Sequence, residues 1–223
     1  MSVPVCELTD SREATDALLE VLRGGRWRPG AVGRFLYLAA HRSMRQAARH
    51  PDALVQAVVL HGLLFMSARG PGAKRWVVIS WSLTVLHLGL LEDRGRLTGA
   101  DVITLLRGNL PATTLGRSRW SGLLAIALDL ADGRLARRQV TVSPFGDYAD
   151  SLADAAFWIW LVLRYEPSRT VRAAALAAWL VPVVAVTAVG MRRGSMPDRP
   201  RPALLRPAAA MQVVVAVRHA LRR

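Results

Sequence analysis

Four carboxylates, Asp129, Asp132, Asp150 and Asp154, lie within the 26-residue stretch DLADGRLARRQVTVSPFGDYADSLAD. Asp129, Asp132, Gly133 and Ala136 are spaced i, i+3, i+4, i+7, which places them on one face of a helix. Gly146, Asp150 and Asp154 follow at i, i+4, i+8 on a second helical stretch, and the segment between, Gln139 to Phe145 with Pro144, reads as a turn. Two helices joined by so short a turn run antiparallel, and their acidic faces can meet. Carboxylates held that close repel one another unless cations sit among them, and an all-oxygen donor set suits Mg²⁺ or Mn²⁺ rather than zinc. The plainer explanation is a solvated acidic helix pair. Against it stand the neighbours, Leu123 to Leu128 before the cluster and Ala155 to Leu163 after it. Ionisable groups in membrane-like sequence cost on the order of 2.5 to 3.5 kcal/mol each and are functional by default.

Two divalent ions about 3.5 to 4 Å apart can clamp an in-line displacement at phosphorus. Gly133 and Ala136 lack bulk on the acidic face, so a ligand can approach the helix backbone there; helix packing is their other explanation. Arg134, Arg137 and Arg138 end the same helix. Arginine is suited to bidentate phosphate contacts, and its alternative role here is snorkelling to a membrane interface. Together these residues point to metal-dependent phosphoryl chemistry at a membrane surface.

The stretch resembles, position for position, the signature of the CDP-alcohol phosphotransferase (CDP-alcohol phosphatidyltransferase) family, D-x2-D-G-x2-A-R-x8-G-x3-D-x3-D. Asp129, Asp132, Gly133, Ala136, Arg137, Gly146, Asp150 and Asp154 fill it with both inner spacings intact. The resemblance implies an all-α integral membrane enzyme, a homodimer whose active site faces the cytoplasm. It makes Asp129, Asp132, Asp150 and Asp154 ligands of two Mg²⁺ or Mn²⁺ ions, with Asp154 also the general base on an acceptor hydroxyl. Gly133, Ala136 and Arg137 would receive the CDP moiety of the donor. The implied reaction is displacement at the lipid-linked phosphorus of a CDP-activated lipid such as CDP-diacylglycerol. CMP leaves, and a small alcohol or alcohol phosphate takes the phosphatidyl group, as in phospholipid biosynthesis. Asp101, Thr104 and Arg107 resemble the family's first-helix pattern N-x2-T-x2-R, with Asp101 in place of the usual Asn. The pattern brings Thr104 to the donor's CDP moiety, and Asp147 beside Gly146 is a further departure that reads as a capping residue.

The rest of the chain must hold these groups in place. At 223 residues and 52% hydrophobic, yet with a formal charge of +14, the composition fits a small membrane protein with basic loops. The arginines are spread between apolar runs with no recognition motif, so no nucleic-acid partner is expected. Cys6 stands alone, which leaves neither a disulfide framework nor a thiolate metal site. No signal-peptide pattern opens the chain. Residues 1–50 read as two amphipathic helices at a cytoplasmic membrane surface, the first capped by Thr9 or Asp10 and ended by GGRWRPG, the second basic, with a plain solvated helix as its alternative reading.

Residues 51–93 read as a transmembrane hairpin built on two uncharged runs, Ala53 to Ala68 and Trp76 to Leu91. His61 and His87 within it read as hydrogen-bonded packing residues. Residues 94–223 read as the membrane domain that carries the signature, including the long uncharged run Ala173 to Met191 with Pro182 inside, an Arg-rich loop from Arg192 to Arg206, and a short last helix. The sum is a helical bundle of about six to seven spans with amphipathic N-terminal helices. Two rivals stand beside the transferase: a cation transporter using intramembrane aspartates, and a catalytically silent relative. Carboxylates clustered near one end, beside a turn and arginines, disfavour the first, and the intact signature disfavours the second.

Overall fold

The computed structural model describes residues 7–139, 143–195 and 202–221, all of its regular structure helical. Cys6, the middle of the Gln139–Phe145 turn (140–142) and part of the Arg-rich loop (196–201) lie outside the described residues. The described residues form nine α-helices in chain order: α1 Ser11–Gly24, α2 Pro29–Arg49, α3 Pro51–Ser67, α4 Pro71–Leu86, α5 Gly99–Gly108, α6 Ser121–Gln139, α7 Pro144–Tyr165, α8 Arg169–Arg193 and α9 Pro202–Leu221.

Local chemistry sets the boundaries. Asp10 caps α1 by accepting from the Glu13 amide at 2.7 Å. Proline occupies the first turn of α2, α3, α4 and α7, where its missing N–H costs nothing. Thr98 and Asp101 form a reciprocal capping box on α5. Ser143, not Asp147, caps α7: its hydroxyl accepts from the Gly146 amide at 3.1 Å. Gly194 stops α8 in the left-handed region at φ 68°.

Among the described residues one helix, α8, is long and apolar enough to cross a membrane by length and composition; it runs unbroken past Pro182. The shorter α3 is also apolar. At ten residues α5 extends roughly 15 Å, half a bilayer core. The last helix, at 20 residues, is longer than its uncharged run, because Pro202 and Arg206 before it and Arg218 after it fall inside.

Two packed regions carry the bundle. Phe157, Trp158, Leu161 and Val162 of α7 form the centre of the first, against Ala125 of α6, Trp179 of α8 and Ala216 of α9. Helices α6 and α9 approach so closely that a Cβ at Gly122 would stand 2.9 Å from Ala216. Gly122→Val should therefore destabilise the detergent-purified protein by about 1 to 3 kcal/mol, read as a lowered thermal midpoint. An unchanged midpoint would show that the contact is not built this tightly.

The second region joins α3 to α5 and α7 through Ala53, Ala57, Leu105, Phe145 and Ala149. Hydrogen bonds fasten the α3–α4 pair to both ends of α5. Gln56 bonds the Leu97 amide at 2.8 Å, the Trp76 indole N–H donates to the Gly108 carbonyl at 2.9 Å, and the Asn109 amide donates to Ser80 Oγ at 2.8 Å. His61 Nδ1 faces the Ala57 carbonyl at 2.9 Å, which can only accept, so Nε2 is left to accept from Ser80 at 3.1 Å. His87 lies 2.8 Å from the Leu83 carbonyl and stacks on Tyr148 at 4.0 Å. Both histidines hold helices together.

Candidate functional site

Helix α5 is the wedge. It packs along both α6 and α7, which touch each other little. The acidic faces of α6 and α7 therefore meet across the polar side of α5, not directly. Asp101, Thr104 and Arg107, three residues apart, all point into the junction and are all buried.

Arg107 is 1% exposed and sits among all four carboxylates. Its Nη1 reaches Asp129 Oδ1 at 2.9 Å and also Asp154 Oδ1; its Nη2 bonds Asp150 Oδ1 and stands 3.8 Å from Asp132 Oδ2. Thr104 Oγ1 donates to Asp132 Oδ2 at 2.7 Å, and Gln212 of α9 donates to Asp154 Oδ2 at 3.0 Å. One guanidinium thus faces four carboxylates. Ionised together, they leave an excess of negative charge in a partly buried site, which a hard cation would relieve.

The donor set fits such an ion. Asp129, Asp132 and Asp150 each offer an oxygen, and the three lie within 4.8 Å of one another. All-carboxylate ligation at a site open to solvent suits Mg²⁺ or Mn²⁺. Asp154 lies outside that trio, deeper along α7, and joins it through Arg107.

A cavity of about 440 Å³ opens beside the cluster. Seven of the eight signature positions line it, Asp129, Asp132, Gly133, Ala136, Arg137, Gly146 and Asp150, and so does Thr104. Asp154 does not. The two glycines have separate geometric reasons. A Cβ at Gly133 would stand 3.1 Å from Arg137 Nη1, so the missing side chain lets that guanidinium fold back along α6. A Cβ at Gly146 would stand 3.3 Å from Asp101 Oδ1, where α7 begins against α5.

Asp101 is occupied structurally. Its Oδ2 accepts from the Thr98 amide at 2.8 Å and the Thr98 hydroxyl at 2.9 Å, and Arg94 Nη2 stands 3.5 Å away. Arg94 also bonds Ser143 Oγ, so one arginine ties the start of α5 to the cap of α7 at the cavity rim. Arg134 and Arg138 are exposed and away from the cavity lining, whereas Arg137, also exposed, lines it.

The sequence places Arg107 in the first-helix pattern with Asp101 and Thr104 but gives it no role, and it singles out neither Arg94 nor Gln212. The available signal for Arg107 was its spacing: an arginine on an apolar helix, on the same face as a threonine and an aspartate, needs an anionic partner. Gln212, one amide in an apolar run, offered none.

A family model described as CDP-alcohol phosphatidyltransferase matches residues 97–218. That span begins just before the capping box of α5 and ends in the last turn of α9, enclosing the cavity and every residue of the acidic cluster. No curated protein and no solved structure matches the chain.

Proposed function

The chain belongs to the CDP-alcohol phosphatidyltransferase family, and from that premise we propose that it transfers a phosphatidyl group from a CDP-activated lipid, CDP-diacylglycerol, to a small alcohol or alcohol phosphate, releasing CMP. The observation that carries the proposal is the convergence of α5, α6 and α7 on four carboxylates beside a cavity lined by the signature residues.

In this reading Asp129, Asp132 and Asp150 would hold a divalent metal, Mg²⁺ or Mn²⁺, and Asp154 would contribute to a second ion. The bound metal supplies charge neutralisation at the diphosphate and at the departing CMP. Gly133 and Ala136 admit the nucleotide against the α6 backbone, Arg137 pairs with its phosphates, and Thr104 fixes Asp132 while presenting its own edge to the CDP moiety. The acceptor oxygen attacks the lipid-linked phosphorus, the bond from that phosphorus to CMP breaks, and Asp154 takes the acceptor's proton. Asp154 is 30% exposed through its side chain, which leaves it an open edge for that hydroxyl.

The membrane setting follows the same premise. Residues 51–93 form a hairpin of α3 and α4, residues 94–223 form the transferase domain, and residues 1–50 lie at the cytoplasmic surface. Counting α3, α4, α6, α7, α8 and α9 gives six spans, with the short α5 held inside the bundle; two copies form a homodimer whose sites face the cytoplasm.

The test is CMP release from CDP-diacylglycerol by detergent-purified protein. Thorough chelation should stop release, and Mg²⁺ or Mn²⁺ should restore it. Release that survives chelation would contradict the metal-dependent mechanism.

A further inference from the structure

Helix α2 lies outside the family-matched residues, and its outer surface has an order of its own. Leu36, Tyr37 and Met44 are 59%, 68% and 70% exposed. At 3.6 residues per turn they fall within an arc of about 100°. Arg34, Arg45 and Arg49, also exposed, fall in an adjoining arc of about 60°. The opposite side packs through Gln46, which is buried and donates to the Leu8 carbonyl at 3.2 Å, and in the last turn Ala47, at the Leu36 edge of the stripe, is buried as well. So α2 turns an apolar stripe with an arginine border away from the protein.

Its position is fixed as well. Only His50 separates α2 from Pro51, where apolar α3 begins. Rather than running along α3, α2 packs against α1, the Leu88–Leu91 turn and α4. His50 faces the Glu92 carbonyl at 3.0 Å, and the Ala53 amide donates to the Gly95 carbonyl at 3.2 Å. The joint is thus tied to the linker that carries Arg94, at the end of the bundle where the acidic cavity opens.

We propose that α2 lies in the plane of the bilayer on the side of the cavity, its Leu36–Tyr37–Met44 stripe in the acyl boundary and its Arg34, Arg45 and Arg49 on anionic lipid headgroups. The proposal rests on the reading of α3 as a membrane span, since a helix one residue away from a span starts at the interface. An apolar stripe with a basic border is the pattern of an interfacial helix, and anionic headgroups complement the arginines. A second copy of this chain placed on the stripe would bring its own arginine row towards the first. The consequence is that anionic lipid, the charge class of the CDP-linked donor itself, is held beside the cavity mouth.

The test uses the full chain with Cys6→Ser, carrying a fluorophore on Met44→Cys or, as a marker of the α3 span, on Leu63→Cys, which is 67% exposed at that position in the protein alone. Each is reconstituted into vesicles of phosphatidylcholine with or without phosphatidylglycerol, and quenching by brominated acyl chains is compared with quenching by aqueous iodide. The label at position 44 should be quenched by lipid in anionic vesicles and by iodide in neutral ones. Replacing Arg34, Arg45 and Arg49 by glutamine should shift its docked–undocked equilibrium in anionic vesicles by on the order of a hundredfold, at roughly fivefold per arginine.

A label at 44 that iodide reaches in both vesicle types, while the label at 63 stays in lipid, would overturn the docking and leave the span intact. Iodide reaching both labels would overturn the span and the docking together. A label at 44 that neither iodide nor brominated acyl chains reach, in either vesicle type, would mean that protein covers the stripe, and would also overturn the proposal. Lipid quenching at 44 that is equal in both vesicle types and untouched by the triple substitution would overturn the role of the arginines. None of these readouts depends on CMP release.

Discussion

Asp154→Asn should leave a folded protein that turns over roughly 10²- to 10⁴-fold more slowly, the usual contribution of a positioned general base. The substitution keeps the size and one oxygen of the side chain. It therefore retains an acceptor for Arg107 Nη1 or for the Gln212 amide, the two groups that hold Asp154 at the bottom of the cluster. What it removes is the negative charge, and with it both the ability to take a proton and the contribution to a second ion. The loss should appear in kcat, with the thermal midpoint near that of the parent protein. Arg138→Ala should be far milder, because Arg138 is exposed and does not line the cavity. Equal turnover in Asp154→Asn and the parent would remove Asp154 from the role of base.

Arg107→Met should have the largest effect on stability. Among the described residues Arg107 is the one cation within reach of Asp129, Asp132, Asp150 and Asp154 together, and it is almost fully buried. Removing one partner of a buried ion pair costs about 3 to 5 kcal/mol, mostly through the charge left uncompensated. Here the lower end applies, since Asp129 and Asp150 have side chains 42% and 48% exposed and keep part of their hydration. Divalent metal should offset the loss. In Arg107→Met, Mg²⁺ should raise the thermal midpoint by more than it does in the parent, because the ion then meets carboxylates with no internal competitor. A midpoint unchanged in chelator would show that the carboxylates do not depend on Arg107. A loss that Mg²⁺ cannot reduce would show that the cluster does not bind the ion productively.

The all-helical fold was legible because its boundaries use strong local signals. Asp10 before α1, Thr98 three residues before Asp101, and prolines opening four helices each satisfy or remove a free backbone donor, and such effects act within one turn. The acidic faces were legible too, since i, i+3 and i+4 spacing fixes which residues share a side of a helix. What joins those faces was not. The antiparallel pair expected from the short turn has α5 wedged against both members, and that depends on the tertiary fit of Leu105, Gly108, Phe145, Ala149 and Ala153 rather than on periodicity. Arg107 showed its charge in the sequence but not its four partners, which come from α6 and α7. The seat of Asp101 in a capping box is implicit in Thr98-x2-Asp101, but Asp101 also opens the family's first-helix pattern, which points to nucleotide rather than to helix capping. Hydropathy alone marks spans poorly here, because α6 and α7 carry their aspartates among apolar residues and, among the described residues, only α8 is long and apolar enough to cross a membrane.

The measurement that bears most directly on the transferase assignment is CMP release from CDP-diacylglycerol, with Mg²⁺ present, across a panel of glycerol phosphate, inositol phosphate, inositol and serine, together with detection of the lipid product. Release that requires one acceptor, matched by a new phosphodiester lipid containing it, is the predicted result. Folded protein that releases no CMP with any acceptor, or that releases it equally without one, would contradict the account.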